Sequence, residues 1–237
     1  MFIKNFTVGI IDSGIGGLKL AKQILKDYPY ENIVYFADDK FMPYGNKTKQ
    51  EIVNRIKYIT NYLIENYNIK ILILACNTAS LTSLDYLKLH YKIPVIGVFP
   101  YTYNDSLVLC TKLSYKQLNT NKLYVKNLAS KIEQYYFNKV KLENYIYYLI
   151  NKYKLSSYSG IVLGCTHYEL IGDIFEKLMP NCSFFYPTTQ TLLQFKQIYE
   201  KYQFSSSSAK FGQICLVASS NNKSYINKLT KIFEKYL

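Results

Sequence analysis

Thr7-Val8-Gly9-Ile10-Ile11-Asp12-Ser13-Gly14-Ile15-Gly16-Gly17-Leu18 is the stretch on which the fold turns. The apolar run from Thr7 to Ile11 reads as a buried strand. It ends on an acid and a glycine-rich turn, and an amphipathic helix follows over residues 18–27. The same alternation continues outward. Ile33-Val34-Tyr35-Phe36-Ala37 is a second strand, and Met42-Pro43-Tyr44-Gly45-Asn46 is a turn. Residues 49–66 have helical spacing, with Ile52, Ile56, Ile59 and Leu63 on one face. A third strand over 71–75 leads to a helix over 80–89, and residues 95–98 are a fourth strand. Strands this short and apolar, alternating with helices, predict an α/β protein with mainly parallel sheets covered on both faces.

Strand pattern returns at Gly160-Ile161-Val162-Leu163-Gly164, again followed by a helix, and Ile214-Cys215-Leu216-Val217 precedes a closing helix over 225–236. Between 112 and 154 the chain carries nine Lys and two Glu. Its apolar residues keep helical spacing, so solvated helices are expected there. Ser205-Ser206-Ser207-Ser208 has the composition of a linker. Breaks near 98 and 208 divide the chain into a first α/β domain, 1–97 plus 208–237, and a second, 98–207.

The 237 residues carry 29 Lys+Arg against 16 Asp+Glu, a formal net charge of +13, with 49% apolar and 19% charged residues. That composition is globular rather than disordered. No apolar stretch approaches the roughly 18 residues of a spanning helix, and residues 1–6 contain no long apolar leader core. A membrane or secreted protein is therefore not expected, and a cytoplasmic one is. The five cysteines are widely spaced and odd in number, which suits free thiols better than a disulfide framework. Nearly all the positive charge is on Lys, Arg55 being the single Arg. Lysine-rich charge is weaker ground for a nucleic-acid partner than the same charge on Arg.

Two segments share a local grammar. Ile71-Leu72-Ile73-Leu74-Ala75-Cys76-Asn77-Thr78 and Ile161-Val162-Leu163-Gly164-Cys165-Thr166-His167 each run a strand into a small residue, a Cys, polar groups and a helix. In open α/β sheets, ligands sit beyond the carboxyl ends of the strands, where helix N-termini offer free N–H groups. Both thiols therefore belong where a ligand binds, and a helix terminus is expected to favour the thiolate. Asp12 takes the equivalent place on the first strand, and His167 lies two residues past Cys165. One strand-end cysteine is ordinarily an inert core residue. Two, each with an acid or imidazole in reach, point to chemistry. Cys110, Cys182 and Cys215 lack this context and are read as structural. Paired thiols suit inversion of a stereocentre, with one base on each face of a carbon. Ser13, Asn77, Thr78 and Thr166 supply hydroxyls and an amide beside them to hold the substrate and stabilise developing charge.

Residues 9–18, Pro43-Tyr44-Gly45, Ala75-Cys76-Asn77-Thr78-Ala79-Ser80, residues 93–98 and Leu163-Gly164-Cys165-Thr166-His167-Tyr168 closely resemble glutamate racemase, in the cofactor-independent aspartate/glutamate racemase superfamily. The resemblance implies two similar α/β domains facing each other across the active site, with the C-terminal segment returning to the first. It implies Cys76 and Cys165 as the two catalytic bases, assisted by Asp12 and His167. It also implies Ser13, Pro43, Tyr44, Gly45, Asn77, Thr78 and Thr166 as substrate contacts, and Thr111 and Ser114 as the first steps of a hydroxyl ladder. Glu133 is the candidate support on the second-thiol side. Interconversion of L- and D-glutamate without cofactor or metal is implied, in a homodimer supplying D-glutamate for peptidoglycan precursors. The chain departs from the family pattern at Gln117, at Val98-Phe99-Pro100, at Glu169 after Tyr168, and at Phe185-Tyr186-Pro187, and its second domain is short.

Other readings fare worse. A dinucleotide fingerprint needs Gly where Lys19 stands, and it has no role for Asp12. A metal site from Asp12, Cys76, Cys165 and His167 lacks the close ligand spacing of thiolate sites. A silent or repurposed homologue that binds nucleic acid or protein through the Lys/Tyr-rich segment remains the competitor from another class. A racemase for aspartate is the competitor within the superfamily.

Overall fold

In the computed structural model, residues 7–101, 103, 105–202, 204 and 211–235 are described. The first unit is β1 (Thr7–Asp12), α1 (Leu18–Asp27), β2 (Ile33–Ala37), a 3-10 turn (Tyr44–Asn46), α2 (Lys49–Tyr67), β3 (Ile69–Leu74), α3 (Asn77–His90) and β4 (Val95–Gly97). The chain then builds β5 (Leu107–Cys110), α4 (Lys112–Gln117), β6 (Lys122–Tyr124), α5 (Leu128–Tyr135), α6 (Lys139–Lys152), β7 (Gly160–Leu163), α7 (Thr166–Glu169), α8 (Gly172–Leu178), β8 (Ser183–Phe185) and α9 (Pro187–Lys201). It closes with β9 (Ile214–Ala218) and α10 (Lys223–Lys235).

Two parallel sheets result. The first has five strands in the order β4-β3-β1-β2-β9, and the second has four in the order β6-β5-β7-β8. The period-2 alternation of the strands fills two cores at once. Val8, Ile10, Ile71, Ile73 and Tyr35 face one, and Ile11, Leu72, Leu74, Val34 and Phe36 face the other. The first of these cores runs on into the second sheet through Leu107, Leu109, Ile161 and Leu163. The opposite face of the second sheet is thin, with Val108, Cys110 and Val162 as its buried members.

Local chemistry fixes the helix ends that matter for the site. Thr48 and Glu51 form a reciprocal capping box at the start of α2. Asn68, in the left-handed region at φ 48°, turns the end of α2 directly into β3. Below the sheet, buried Lys70 bonds Glu31 at 2.7 Å, and Tyr199 of α9 donates to the same carboxylate oxygen.

Three expectations need correction. The segment 112–154 is not helical throughout, because β6 lies within it, held by its register against β5 (Val108↔Lys122, Cys110↔Tyr124). Strands β5 and β8 were not expected as strands, and both exist by parallel pairing with β7. Helix α3 begins at Asn77 rather than at 80, which makes Cys76 its N-cap residue. The serines at 205–208 and the last residue expected in the closing helix, 236, lie outside the described residues.

Candidate active site

Strands β1, β3 and β7 each end on a residue of the site. Asp12 is the last residue of β1, Cys76 lies two residues past β3, and Cys165 lies two past β7. Cys76 and Cys165 are the N-cap residues of α3 and α7, 5% and 6% exposed, so both sulfurs are almost shut from solvent. The two interact electrostatically, and Asp12 acts on Cys76 as well. Asp12 is fully buried. One of its carboxylate oxygens accepts from Gly14 N (2.8 Å) and the other from Thr166 Oγ1 (3.0 Å). A side chain at position 16 would collide with this arrangement, since its Cβ would fall 2.5 Å from Thr166 Oγ1 and 2.7 Å from His167 Nδ1. Gly16 is what lets the β1–α1 turn lie against α7.

Burial dominates the electrostatics of Cys76. It pushes the thiol up to about 12, with the charges of Asp12 and Cys165 adding to the rise. The Ala79 N–H and the Ser13 hydroxyl pull it back only in part. The expectation that the helix terminus favours the thiolate is thus overturned at Cys76: desolvation and two nearby acids outweigh the end of α3. Burial also raises Asp12, against the lowering effects of His167, Gly14 and Thr166. For His167 burial disfavours the imidazolium, but hydrogen bonds to Cys165 and Glu133 outweigh it and hold the ring protonated well above the usual imidazole range. Glu133, on α5, bonds His167 Nε2 through Oε2 at 2.8 Å. Burial would raise this carboxyl, yet His167 and Lys228 bring it down to about 2.

Between the lobes, Thr78, Thr111 and Ser114 form a triangle of hydroxyls at 2.9, 3.3 and 3.1 Å. Thr111 is also the N-cap of α4, accepting from Ser114 N. Gly45 lies against this triangle, where an added Cβ would fall 2.8 Å from Thr111 Cβ. Pro43 precedes the turn through a cis Met42–Pro43 bond. Tyr44 is buried, and its hydroxyl donates to Asp38 Oδ2 at 2.7 Å. Asn77 is 1% exposed, and neither amide atom has a hydrogen-bond partner within the protein. A buried amide without partners is costly unless something else meets it.

A cleft between the 43–46 turn and the starts of α4 and α5 is lined by Pro43, Gly45, Thr111, Asn127 and Tyr168 among others. Beside it opens a second cleft of about 350 Å³ whose walls carry Lys47, Lys49, Lys112 and Lys116. Among the described residues, no group of His, Cys, Asp and Glu is arranged to hold a metal ion, and no helix is long and apolar enough to cross a membrane.

Several residues of the site had no role in it assigned from sequence. Asp38 directly follows β2, and it is gripped by Arg55 (Nε 2.8 Å, Nη2 2.5 Å) as well as by Tyr44. Its place at a strand end and the solitary Arg were the signals available. Tyr35 accepts from Gly17 N and donates to Gly14 O, pinning the glycine turn from beneath. Tyr225 and Lys228 reach Glu133 from α10, and nothing local in their sequence announces it.

No family model matches the chain. The glutamate racemase of Clostridium acetobutylicum is 29% identical to it over 241 residues, covering 92% of this chain and 94% of that protein. The crystal structure of a glutamate racemase isoform from Bacillus anthracis has the same fold, with a TM-score of 0.85 at 21% identity over 99% of this chain and 96% of that one. The glutamate racemase of Halothermothrix orenii is 31% identical over 195 residues, 73% of this chain and 77% of that protein; with that much of the relative covered at that identity, the chain belongs to the glutamate racemase family.

Proposed function

We infer that the protein interconverts L- and D-glutamate by moving a proton at the α-carbon between two thiols, Cys76 and Cys165. One observation carries the reading. Two buried cysteines lie just past the carboxyl ends of strands in different sheets, joined through a bond between Asp12 and Thr166, with the charge of Asp12 acting on Cys76 and His167 hydrogen-bonded to Cys165. In one direction a thiolate takes the α-proton from one face while the opposing thiol gives a proton to the other face. The reverse direction exchanges the roles. Cys76, with its thiol held protonated, is suited to the giving role in the resting state. Hydrogen-bonded to both Cys165 and Glu133, His167 can pass a proton to and from the second sulfur.

The α-proton of an amino acid is a poor acid, so fixed donors must stabilise the charge that develops on the carboxylate. This role falls to Asn77, whose amide is free of protein partners, and to the N–H groups opening α3. The hydroxyls of Thr78, Thr111 and Ser114, with Tyr44 and Gly45 against them, suit the side-chain carboxylate. Ser13 and Thr166 complete the polar lining. The lysine-walled cleft beside Gly45 gives an acidic substrate a favourable approach. With both sulfurs almost fully covered, entry requires the lobes to part. The family reading brings with it a homodimer, a cytoplasmic location and supply of D-glutamate to peptidoglycan precursors.

The test is circular dichroism of purified protein with L- or D-glutamate, run beside deuterium uptake at the α-carbon in heavy water. Loss of optical rotation from either enantiomer, with isotope entering the α-position, is expected. Cys76→Ala and Cys165→Ala should each lower kcat by a factor of about 10² or more, as removal of a general base does. A folded wild-type protein that exchanges no α-proton overturns the reading.

A further inference from the structure

Glu133 has two carboxylate oxygens, and the fold assigns them to different tasks. Oε2 meets His167 Nε2 at 2.8 Å and also accepts from Ile15 N at 3.3 Å. Oε1 is taken by α10: Tyr225 donates its hydroxyl at 2.9 Å and Lys228 donates Nζ at 2.6 Å. Lys228 also reaches the backbone carbonyl of Glu133 at 2.6 Å, so it grips the residue at both ends. Helix α10 packs on β9 and α1, beside the first sheet, whereas Glu133 belongs to the lobe of the second. The last helix thus spans the two lobes behind the histidine.

We propose that Lys228, with Tyr225 beside it, is a positioning residue for the reaction: it fixes the Glu133 carboxylate in the orientation and charge state in which that group steers His167 toward Cys165. The inference rests on the racemase reading above. Without Lys228 the Glu133 carboxylate keeps the Ile15 N–H, His167 and the Tyr225 hydroxyl, but its unshared negative charge favours the imidazolium so strongly that the ring returns its proton poorly. Lys228 shares that charge and, by gripping Oε1 and the backbone carbonyl together, tightens the orientation of the carboxylate.

The other ionisable groups facing this cluster are Asp12, Cys165, Tyr35 and Tyr225, with Asp39 acting on Tyr225 from behind; Cys76 lies one step further off, against Asp12 and Cys165. Among the described residues Lys228 is the cation that bonds Glu133 besides the imidazolium itself. Deleting it leaves the cluster one unit more negative, so every proton in it is held to higher pH. The effect is sided, because Cys165 bonds His167, whereas Cys76 leans on Ser13 and the Ala79 N–H.

The experiment compares the wild type with Lys228→Met, Lys228→Arg and Tyr225→Phe. Iodoacetamide alkylation of Cys165 and Cys76 in the full chain is followed against pH by peptide mass spectrometry, and kcat and KM for glutamate are measured across the same range. Lys228→Met should move the Cys165 midpoint upward by roughly half a unit to one unit while leaving Cys76 within experimental error. It should also lower kcat at neutral pH by about tenfold with KM little changed, and displace the kcat profile to higher pH. Lys228→Arg should restore most of the loss, and Tyr225→Phe should give a smaller shift of the same sign, which keeps the test open if Lys228→Met does not fold. An unmoved Cys165 midpoint in a folded Lys228→Met protein overturns the inference, as does an equal shift of both thiols. A selective Cys165 shift in a protein that never racemises glutamate upholds the positioning and sinks the reaction proposed above.

Discussion

Thr166 donates its hydroxyl to Asp12 at 3.0 Å across 154 positions of sequence, and this bond ties the end of β1 to the start of α7. The other oxygen of Asp12 is held by Gly14 N, so the buried carboxyl is committed on both sides. Thr166→Val keeps the shape and removes the donor. A hydrogen bond to a charged group is worth about 1.5–3 kcal/mol, so kcat/KM should fall by roughly ten- to a hundredfold. Steady-state kinetics with each enantiomer reads this directly. Because the equilibrium constant between enantiomers is fixed at unity, both directions must lose kcat/KM equally; an unchanged value removes Asp12–Thr166 from the mechanism.

Asn77 offers the opposite case, a polar side chain that costs stability to bury. With neither amide atom partnered in the protein, Asn77→Leu relieves an unmet desolvation penalty of about 1–3 kcal/mol. Urea unfolding should show a variant at least as stable as wild type, while KM for glutamate rises by about tenfold or more. A destabilised variant with normal KM would mean that the amide serves the fold instead.

Far from the thiols, Lys70 and Glu31 are 6% and 2% exposed and meet at 2.7 Å. Breaking one member of such a pair leaves a buried charge alone, at a cost of about 3–5 kcal/mol. Lys70→Met should therefore destabilise strongly in chemical denaturation, and the double variant Lys70→Met/Glu31→Gln should regain much of the loss. Equal stability of the single and double variants would refute the coupling.

Glu169 is the last residue of α7 and is buried. Burial pushes its carboxyl up to about 8, although Thr188 donates to it through both N–H and hydroxyl at the start of α9. The folded value lies above the unfolded one near 4.5, so the folded state binds the proton more tightly. Stability is then highest below about pH 4.5 as far as this group goes, declines as pH rises from there to about 8, and levels off beyond. Glu169→Gln should flatten that decline and gain on the order of 4 kcal/mol at pH 8. Thermal unfolding at pH 5 and pH 8 decides it: an equal slope in both proteins would show that the carboxyl is ionised throughout.

Much of the architecture was readable because its signals are local. β1, β2, β3, β7 and β9 are apolar runs between turn residues, and Asp12, Cys76, Asn77, Cys165 and His167 follow directly from three of them. β5, β6 and β8 were not readable. They are three or four residues long, stand outside the clear alternation of strand and helix, and owe their conformation to pairing partners. The protonation of Cys76 was misread for a related reason: a helix terminus is visible in sequence, whereas complete burial between two acids is not. Lys228 and Tyr225 were invisible because their partner, Glu133, lies 95 and 92 positions away.

The strand order of the first sheet has a consequence for the life of the chain before it is folded. β2 is an interior strand only because β9 pairs with it, and β2 ends at Ala37 while β9 begins at Ile214. At ribosomal speed that interval takes on the order of 10 s or more. Throughout it, the apolar margin Ile33-Val34-Tyr35-Phe36-Ala37 has no strand to cover it, and the whole second lobe emerges meanwhile. A nascent protein of this topology carries a sticky flank for most of its synthesis, so its yield in a cell should depend on chaperones that shield growing chains far more than its finished stability would suggest.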